Sequence, residues 1–341
     1  MTEMFSAALY RFCVAPMLDW TDRHCRYFHR LLSPHARLYT EMVAAPALYY
    51  GDAAKHLDFD AAERPLALQL GGSDPAMLAH AARLGARWGY DEINLNCGCP
   101  SERVQSGSFG ACLMKEPALV ADCVRAMREA APIPVTVKHR IGVDTIEDYG
   151  FVRDFVGTVH EAGCDVFIVH ARNAILSGLS PKENREIPPL RYEIVHQLKR
   201  DFPQCIIVLN GGLTDWPTIE AQLATDIDGV MVGRWAYHQP YRLAEAEARL
   251  FGQTTLLPTR RAIIEAMIPY IEKQLRQGVG QGATLRAITR HILGLYHGQP
   301  RARLFRQWLS EPRQLERQSV DVLYEALARV EGVAGVDRCD K

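Results

Sequence analysis

Short apolar runs recur along the first two thirds of the chain, each followed by a polar or glycine-bearing turn and then by a helix-length segment. The runs are Phe12–Leu18, Leu38–Val43, Pro65–Leu70, Glu92–Asn96, Pro134–Arg140, Asp165–Arg172, Cys205–Asn210 and Gly229–Gly233. Amphipathic stretches at Pro75–Trp88, Pro117–Ala130, Ile146–Glu161 and Trp216–Ala224 separate several of them; the stretch between the second and third runs has no clear period. Strands alternating with helices imply parallel pairing, and eight such units predict a (β/α)8 TIM barrel. A doubly wound open sheet is the alternative, but no G-x-G-x-x-G follows the first run, which argues against a dinucleotide-binding Rossmann domain. Beyond residue 251 the pattern turns helical, over about 259–276, 283–296, 302–310 and 314–330. Ile264, Ile268, Ile271 and Leu275 form one apolar stripe there, and Ile288, Ile292 and Leu295 another. The expected organisation is a catalytic barrel over 1–251, an all-helical domain over 252–335 and a disordered tail over 336–341.

Each run becomes chemically unusual at its C-terminal end, the face on which barrel enzymes build their active sites. Met17 and Asp19, Glu41, Gln69, Asn96 and Cys99, Lys138 and Arg140, His170 and Arg172, Asn210, and Gly233 with Arg234 all fall there. Strand parity puts Thr136, Lys138 and Arg140 on one face and Asn94 with Asn96 on another common face. A lysine inside a barrel mouth needs a negative partner, and a flavin supplies one, because its reduced ring carries charge near N1 and O2. Asn210-Gly211-Gly212 and Gly233-Arg234 end the seventh and eighth runs, where such barrels bind phosphate. Glycines there let backbone N–H groups approach an anion. One such site accommodates one phosphate, which favours FMN over a dinucleotide. Cys99 is the candidate acid, since a free thiol, with a pKa of about 8.5, is mostly protonated at neutral pH. Cys97 competes for the role, because Gly98 interrupts the alternation between them. The segment 105–110, with two glycines and Phe109, could close over a substrate.

The composition, 48% hydrophobic, is that of a globular protein. No apolar run is long enough to span a bilayer, and the first residues lack a signal-peptide pattern. The nine cysteines form no C-x-x-C pair, so neither a disulfide framework nor a zinc site is expected, and a reducing cytoplasm is. A net charge of −1 hides one basic stretch: residues 256–317 hold eleven Lys or Arg against four Asp or Glu. Such a stretch suits a polyanion as well as a solvated helix face.

Taken together, Ala15-Pro16-Met17-Leu18-Asp19, Leu68-Gln69-Leu70-Gly71-Gly72, Asn94-Leu95-Asn96-Cys97-Gly98-Cys99-Pro100, Lys138-His139-Arg140-Ile141-Gly142, His170-Ala171-Arg172, Asn210-Gly211-Gly212 and Val230-Met231-Val232-Gly233-Arg234 resemble the tRNA-dihydrouridine synthases over nearly the whole chain. Ser180-Pro181-Lys182-Glu183-Asn184-Arg185-Glu186-Ile187-Pro188-Pro189-Leu190 is similar to the bacterial A-type branch. The resemblance implies a barrel that holds FMN through Pro16, Met17, Leu18, Gln69, Lys138, His170, Asn210, Gly211, Gly212, Gly233 and Arg234. It implies that Cys99 is the general acid, protonating C5 of a uracil whose C6 takes hydride from flavin N5, with NADPH as reductant. Asn96, Lys138, Arg140 and His170 would contact the uracil. Lys182, Arg185, Arg303 and Arg306 would contact tRNA, and the target would be a D-loop uridine, at positions 20 and 20a by analogy. No metal is implied. Two readings compete: a flavin barrel acting on a free small molecule, and a non-enzymatic RNA-binding module.

Overall fold

The structure, a computed structural model, describes residues 6–101, 104, 107, 109–253, 256–277 and 283–332. Parts of the expected closing segment (105, 106 and 108), the glycines at 278, 280 and 282, and the tail lie outside the described residues.

Nine strands form one sheet: β1 (Phe12–Val14), β2 (Leu38–Tyr39), β3 (Val43–Ala44), β4 (Leu66–Gly71), β5 (Glu92–Cys97), β6 (Val135–Arg140), β7 (Val166–His170), β8 (Ile206–Asn210) and β9 (Gly229–Val232). Every pairing is parallel, in the order β1-β9-β8-β7-β6-β5-β4-β2, with β3 also on β4. The sheet closes through Arg37, whose N–H donates to Phe12 O (3.0 Å) and whose carbonyl accepts from Val14 N (2.9 Å). β2 and β3 are two pieces of one barrel position. Between them the Thr40 hydroxyl accepts from Gln69 N (3.0 Å) and donates to Glu41 O (2.7 Å). A side chain there takes the place of a ladder bond, and the strand breaks. The architecture is therefore the expected (β/α)8 barrel.

The helices follow from local signals. In Pro75–Trp88, Asp74 caps the first turn by accepting from Ala76 N and Met77 N, Pro75 takes the position where no N–H is needed, and Gly89 ends the helix at φ +95°. Gly85 seats this helix on the barrel: a Cβ there would lie 2.7 Å from Ile93 and 2.8 Å from Leu68. Pro117–Ala130 also matches the expected span. The helix expected from Ile146 starts later, at Tyr149, because Val143–Ile146 is tied into a turn. The patternless stretch between the second and third runs holds two short helices, Ala45–Tyr50 and Ala53–Leu57.

The barrel interior has two characters. Val166, Ile168, Ile206, Val208 and Met231 join Tyr10, Cys13, Tyr39 and Ala67 in an apolar cluster. The β4–β6 side instead buries Gln69, Glu92, Asn94 and Thr136.

The chain divides into two compact units, Met1–Arg23 with His35–Gly233, and His24–Pro34 with Arg234–Lys341. Helices Arg234–His238 and Tyr241–Leu250, which fall within the expected barrel boundary at 251, thus group with the helical unit. Its longest helix, Arg260–Arg276, is capped by Thr259 accepting from Ala262 N. It buries Ile264, Ile268 and Ile271, but its last turn turns Gln274 inward and leaves Leu275 half-buried. Two helical expectations are corrected here. Residues 283–296 are helical only over Leu285–Thr289, and beyond that helix Gly294 packs where a Cβ would lie 2.5 Å from His238 O. Residues 314–330 split into Pro312–Glu316 and Asp321–Glu331. Gln318, at φ +48°, turns the chain between them and accepts from Leu285 N (2.9 Å).

Candidate active site

In the barrel unit the expected site residues converge at the strand C-termini. β5 supplies the best-defined part. Glu92, Asn94 and Asn96 share its inner face, so Ile93, Leu95 and Cys97 face the surrounding helices. Cys97 is fully buried, and burial raises its thiol pKa well above the usual value. Cys99, two residues on, is half-buried, with Sγ 3.5 Å from the Ser101 hydroxyl. The two cysteines that sequence parity could not separate therefore occupy different environments: one in the packing layer, the other at the mouth. The turn that carries Cys99 is held by Asn96, whose Oδ1 accepts from Gly98 N (3.1 Å) and Cys99 N (2.9 Å). Asn96 Nδ2 donates to Gln69 Oε1 (3.0 Å), which leaves one Nδ2 hydrogen to meet a ligand.

Lys138 pairs in register with Asn96. Its ammonium is pushed down to about 7, first by burial and then by Arg140. Arg140 is buried and falls to about 9, through burial and the nearby Arg185 and Arg172. Its Nε donates to Gly98 O (3.2 Å), and Nη1 donates to Asn173 O and Asn184 O (2.9 Å each). Arg140 thereby ties the Cys99 turn to the loop after β7, and Nη2 bonds to none of the described residues. His170 ends β7, with its pKa well below the ordinary value through burial and the charges of Arg140, Lys138, Arg172 and Arg185. His139 faces the opposite way, between the rings of Phe155 (5.2 Å) and Phe167 (5.8 Å), and burial lowers its pKa to about 4.

After β8, Gly211 (φ +114°) and Gly212 (φ +66°) adopt backbone that a side chain would strain. A Cβ on Gly211 would lie 2.7 Å from the His170 ring, and one on Gly212 would lie 2.3 Å from Leu190. Tyr192 Oη donates to Gly211 O (2.8 Å), and Asn210 Nδ2 donates to Met231 O (2.7 Å). Asp215 already caps the following helix by accepting from Thr218 N (2.8 Å). The Asp215 carboxylate thus occupies that helix N-terminus. Pro16 and Met17 are half-buried and Leu18 is 68% exposed. Asp19, at φ +64°, turns the chain while its N–H donates to the Glu41 carboxylate. A Cβ on Gly233 would lie 3.7 Å from Ala15 and from Met17 Sδ.

Lys182 and Arg185 are exposed on the long loop after β7. That loop is built around Asn184, whose Oδ1 accepts from Ile175 N (2.7 Å) and whose Nδ2 donates to Ile175 O (2.8 Å) and Leu179 O (3.2 Å). Sequence reading quoted Asn184 without singling it out; its role depends on contacts nine residues away. Arg234 opens the helix Arg234–His238, in the other unit. Arg303 and Arg306 stand exposed on one face of Ala302–Trp308 there. The site residues thus fall in two groups, one in each unit.

The charge at the barrel mouth suits an anionic ligand such as a flavin. Besides burial, Arg140 lowers the pKa of Lys138, and Arg140 and Lys138 lower that of His170, a crowding of positive charge that an anionic ligand would relieve. The glycine turn after β8 packs its Cβ sides against His170 and Leu190, at positive φ that only glycine adopts without strain.

A family model described as dihydrouridine synthase (Dus) matches residues 13–331. The tRNA-dihydrouridine(20/20a) synthase of Xanthomonas campestris pv. campestris is 59% identical over 303 residues, covering 88% of each chain. The protein of the same name from Synechocystis sp. is 54% identical over 96% of this chain and 97% of its own. That from Salmonella typhimurium is 54% identical over 96% of this chain and 98% of its own. Among solved structures, TcOYE with pHBA superposes with a TM-score of 0.51 at 11% identity, covering 74% of this chain and 92% of that one. At that identity the likeness concerns the barrel fold alone. The extent of the family match and of these identities shows that the chain belongs to the dihydrouridine synthase family.

Proposed function

We propose that the protein is an FMN-dependent oxidoreductase that uses NADPH to reduce D-loop uridines of tRNA, at positions 20 and 20a, to 5,6-dihydrouridine. The observation that carries this reading is the half-buried Cys99 thiol, fixed by Asn96 beside the Lys138–Arg140 pair. The names and identities of the relatives support the choice of tRNA and of positions 20 and 20a.

FMN, when bound, supplies the hydride that its N5 delivers to uracil C6. The residues of the chain supply the rest. Gly211 and Gly212 would give backbone N–H groups to the phosphate, with Asn210 and Gly233 at the neighbouring strand ends. Pro16, Met17 and Leu18 pack against the ring system, and Gln69 keeps one Nε2 hydrogen for its polar edge. Lys138 would place positive charge beside the part of the ring that gains charge on reduction, and His170, whose lowered pKa keeps it neutral, would offer a ring nitrogen as hydrogen-bond partner. Cys99 gives its Sγ proton to C5, so hydride and proton together saturate the C5–C6 bond. Arg140 Nη2 and the remaining Asn96 Nδ2 hydrogen steady the carbonyl edge of the uracil. Lys182, Arg185, Arg303 and Arg306 hold tRNA phosphates, which positions the substrate without reading its sequence. A uridine in a single-stranded loop can leave its stack for such a mouth, at a cost of a few kcal/mol. Among the described residues no helix is long and apolar enough to cross a membrane, and a tRNA substrate fits a cytoplasmic enzyme.

The test is direct. Purified protein should be yellow with flavin absorbance and, given NADPH and tRNA lacking dihydrouridine, should add two hydrogens to a D-loop uridine. A colourless protein that leaves the tRNA mass unchanged refutes the reading.

A further inference from the structure

The polar side of the barrel interior carries a feature that the proposed chemistry does not use. Six side chains form one hydrogen-bonded line from the floor to the mouth. Arg37 Nη1 donates to Glu92 Oε2 (2.8 Å). Thr136 Oγ1 donates to Glu92 Oε1 (2.6 Å) and accepts from Asn94 Nδ2 (2.8 Å). Asn94 Oδ1 accepts from Gln69 Nε2 (2.8 Å), and Gln69 Oε1 accepts from Asn96 Nδ2 (3.0 Å). Asn96 Oδ1 then accepts from the backbone N–H groups of Gly98 and Cys99. Glu92, Asn94 and Thr136 are fully buried, and Gln69 is 1% exposed.

The line has a direction, set at its foot by the Glu92 carboxylate and matched at its top by the Gly98 and Cys99 N–H groups, which can only donate. A carboxylate can only accept, so the Thr136 hydroxyl must point its proton at Glu92. That leaves Thr136 an acceptor toward Asn94, which fixes which way the Asn94 amide faces. Asn94 fixes Gln69 in turn, and Gln69 fixes Asn96. Arg37 pairs with Glu92 inside the barrel (2.8 Å) and lies over the Tyr10 ring (4.6 Å). A buried ion pair is a poor source of stability, and setting a unique arrangement of neighbouring groups is its better-attested use.

We propose that Glu92 is a positioning residue for the reaction at the mouth: through Thr136, Asn94 and Gln69 it fixes the amide polarity of Asn96 and so the turn that presents Cys99. The proposal rests on the reading of Cys99 as the acid. With Glu92→Gln, the new amide oxygen faces Arg37 and its NH2 faces Thr136. The Thr136 proton then turns to Asn94, and each amide above flips in sequence. Asn96 would finally point NH2 at the Gly98 and Cys99 N–H groups, donor against donors, and the turn would lose its clamp.

The experiment compares the flavin-loaded wild type with Glu92→Gln, Thr136→Val and Thr136→Ser. Hydrogen exchange at the Gly98 and Cys99 amides is one readout, and the separate rates of flavin reduction by NADPH and of uridine reduction are the other. We expect Glu92→Gln and Thr136→Val to speed exchange at these two amides, and to lower kcat for uridine, by about tenfold or more, the factor that losing a buried hydrogen bond supplies. The KM for tRNA should stay within about twofold, and the rate of flavin reduction should fall less than kcat for uridine, since only uridine reduction uses the turn as well as the Gln69 amide. Thr136→Ser, which keeps the hydroxyl, should behave as wild type. If Glu92→Gln does not fold, the Val and Ser pair decides. Wild-type exchange and kcat in Thr136→Val, or equal losses in the Ser and Val variants, overturn the proposal. A wild type inactive on tRNA refutes the reading of Cys99 instead, and exchange at the two amides then judges the line of hydrogen bonds alone.

Discussion

Replacing Lys138 with methionine should stabilise the flavin-free chain while weakening its hold on FMN. The ammonium sits at the mouth beside Arg140, and burial together with that neighbour moves its pKa from 10.5 to about 7. At about 1.4 kcal/mol per pH unit, this corresponds to on the order of 5 kcal/mol of disfavoured charge in the folded state. Lys138 keeps part of its surface in water, so we expect screening to leave a gain of roughly 2 kcal/mol for Lys138→Met at neutral pH. The sign with pH follows. The unfolded chain keeps the lysine protonated up to about 10.4, whereas the folded chain releases the proton near 7. Wild-type stability therefore rises with pH between those values, relative to the variant. Its disadvantage is complete below about pH 7 and vanishes near pH 10.4. Urea unfolding midpoints of both flavin-free proteins, from about pH 6 to pH 10, measure the gap. Flavin fluorescence titration measures the affinity, which should fall at least about tenfold once the charge beside the ring is lost. A variant less stable than wild type at pH 7, or a gap that does not change with pH, would refute the electrostatic account of the mouth.

Other consequences can be measured alongside. Cys99→Ala should retain FMN and tRNA binding and lose nearly all uridine reduction; unimpaired turnover in single-turnover assays would remove the thiol from the acid role. Gly211→Ala combines φ +114° with a Cβ 2.7 Å from the His170 ring. Its strain of about 1–3 kcal/mol should appear as weaker FMN retention on gel filtration, and normal retention would place the phosphate elsewhere. Arg303→Ala with Arg306→Ala should weaken tRNA binding and reduce the slope of log K against log salt by about 1 to 2. An unchanged slope would move the RNA footprint off the helix Ala302–Trp308.

The barrel was legible in the sequence because its signals are local. Each strand is an apolar run that ends in a turn, and helices such as Pro75–Trp88 carry their own cap and stop. Parity was enough to place Lys138 and Arg140 on one face, because a strand alternates strictly. It failed at Cys97 and Cys99, where Gly98 ends the strand and only tertiary contacts decide which thiol reaches the mouth. The helical unit was less legible. The stripe of Ile288, Ile292 and Leu295 is buried as expected, yet the backbone beneath the last two is a series of turns rather than helix, so burial alone did not reveal its conformation. The Arg37–Glu92 pair escaped notice for another reason: its partners lie 55 residues apart in the chain. A charge at the start of an apolar run reads as a solvated strand end until the sheet closes over it. Asn184 is similar, since nothing in a polar loop marks the one amide that organises it.

Dihydrouridine mapping in tRNA from cells lacking this protein, complemented with the wild type or with Cys99→Ala, bears most directly on what the mouth does. The account predicts loss of the modification at positions 20 and 20a, recovery with the wild type, and none with the alanine variant. Modification that persists in the deleted strain, or that the thiol-less protein restores, would contradict it.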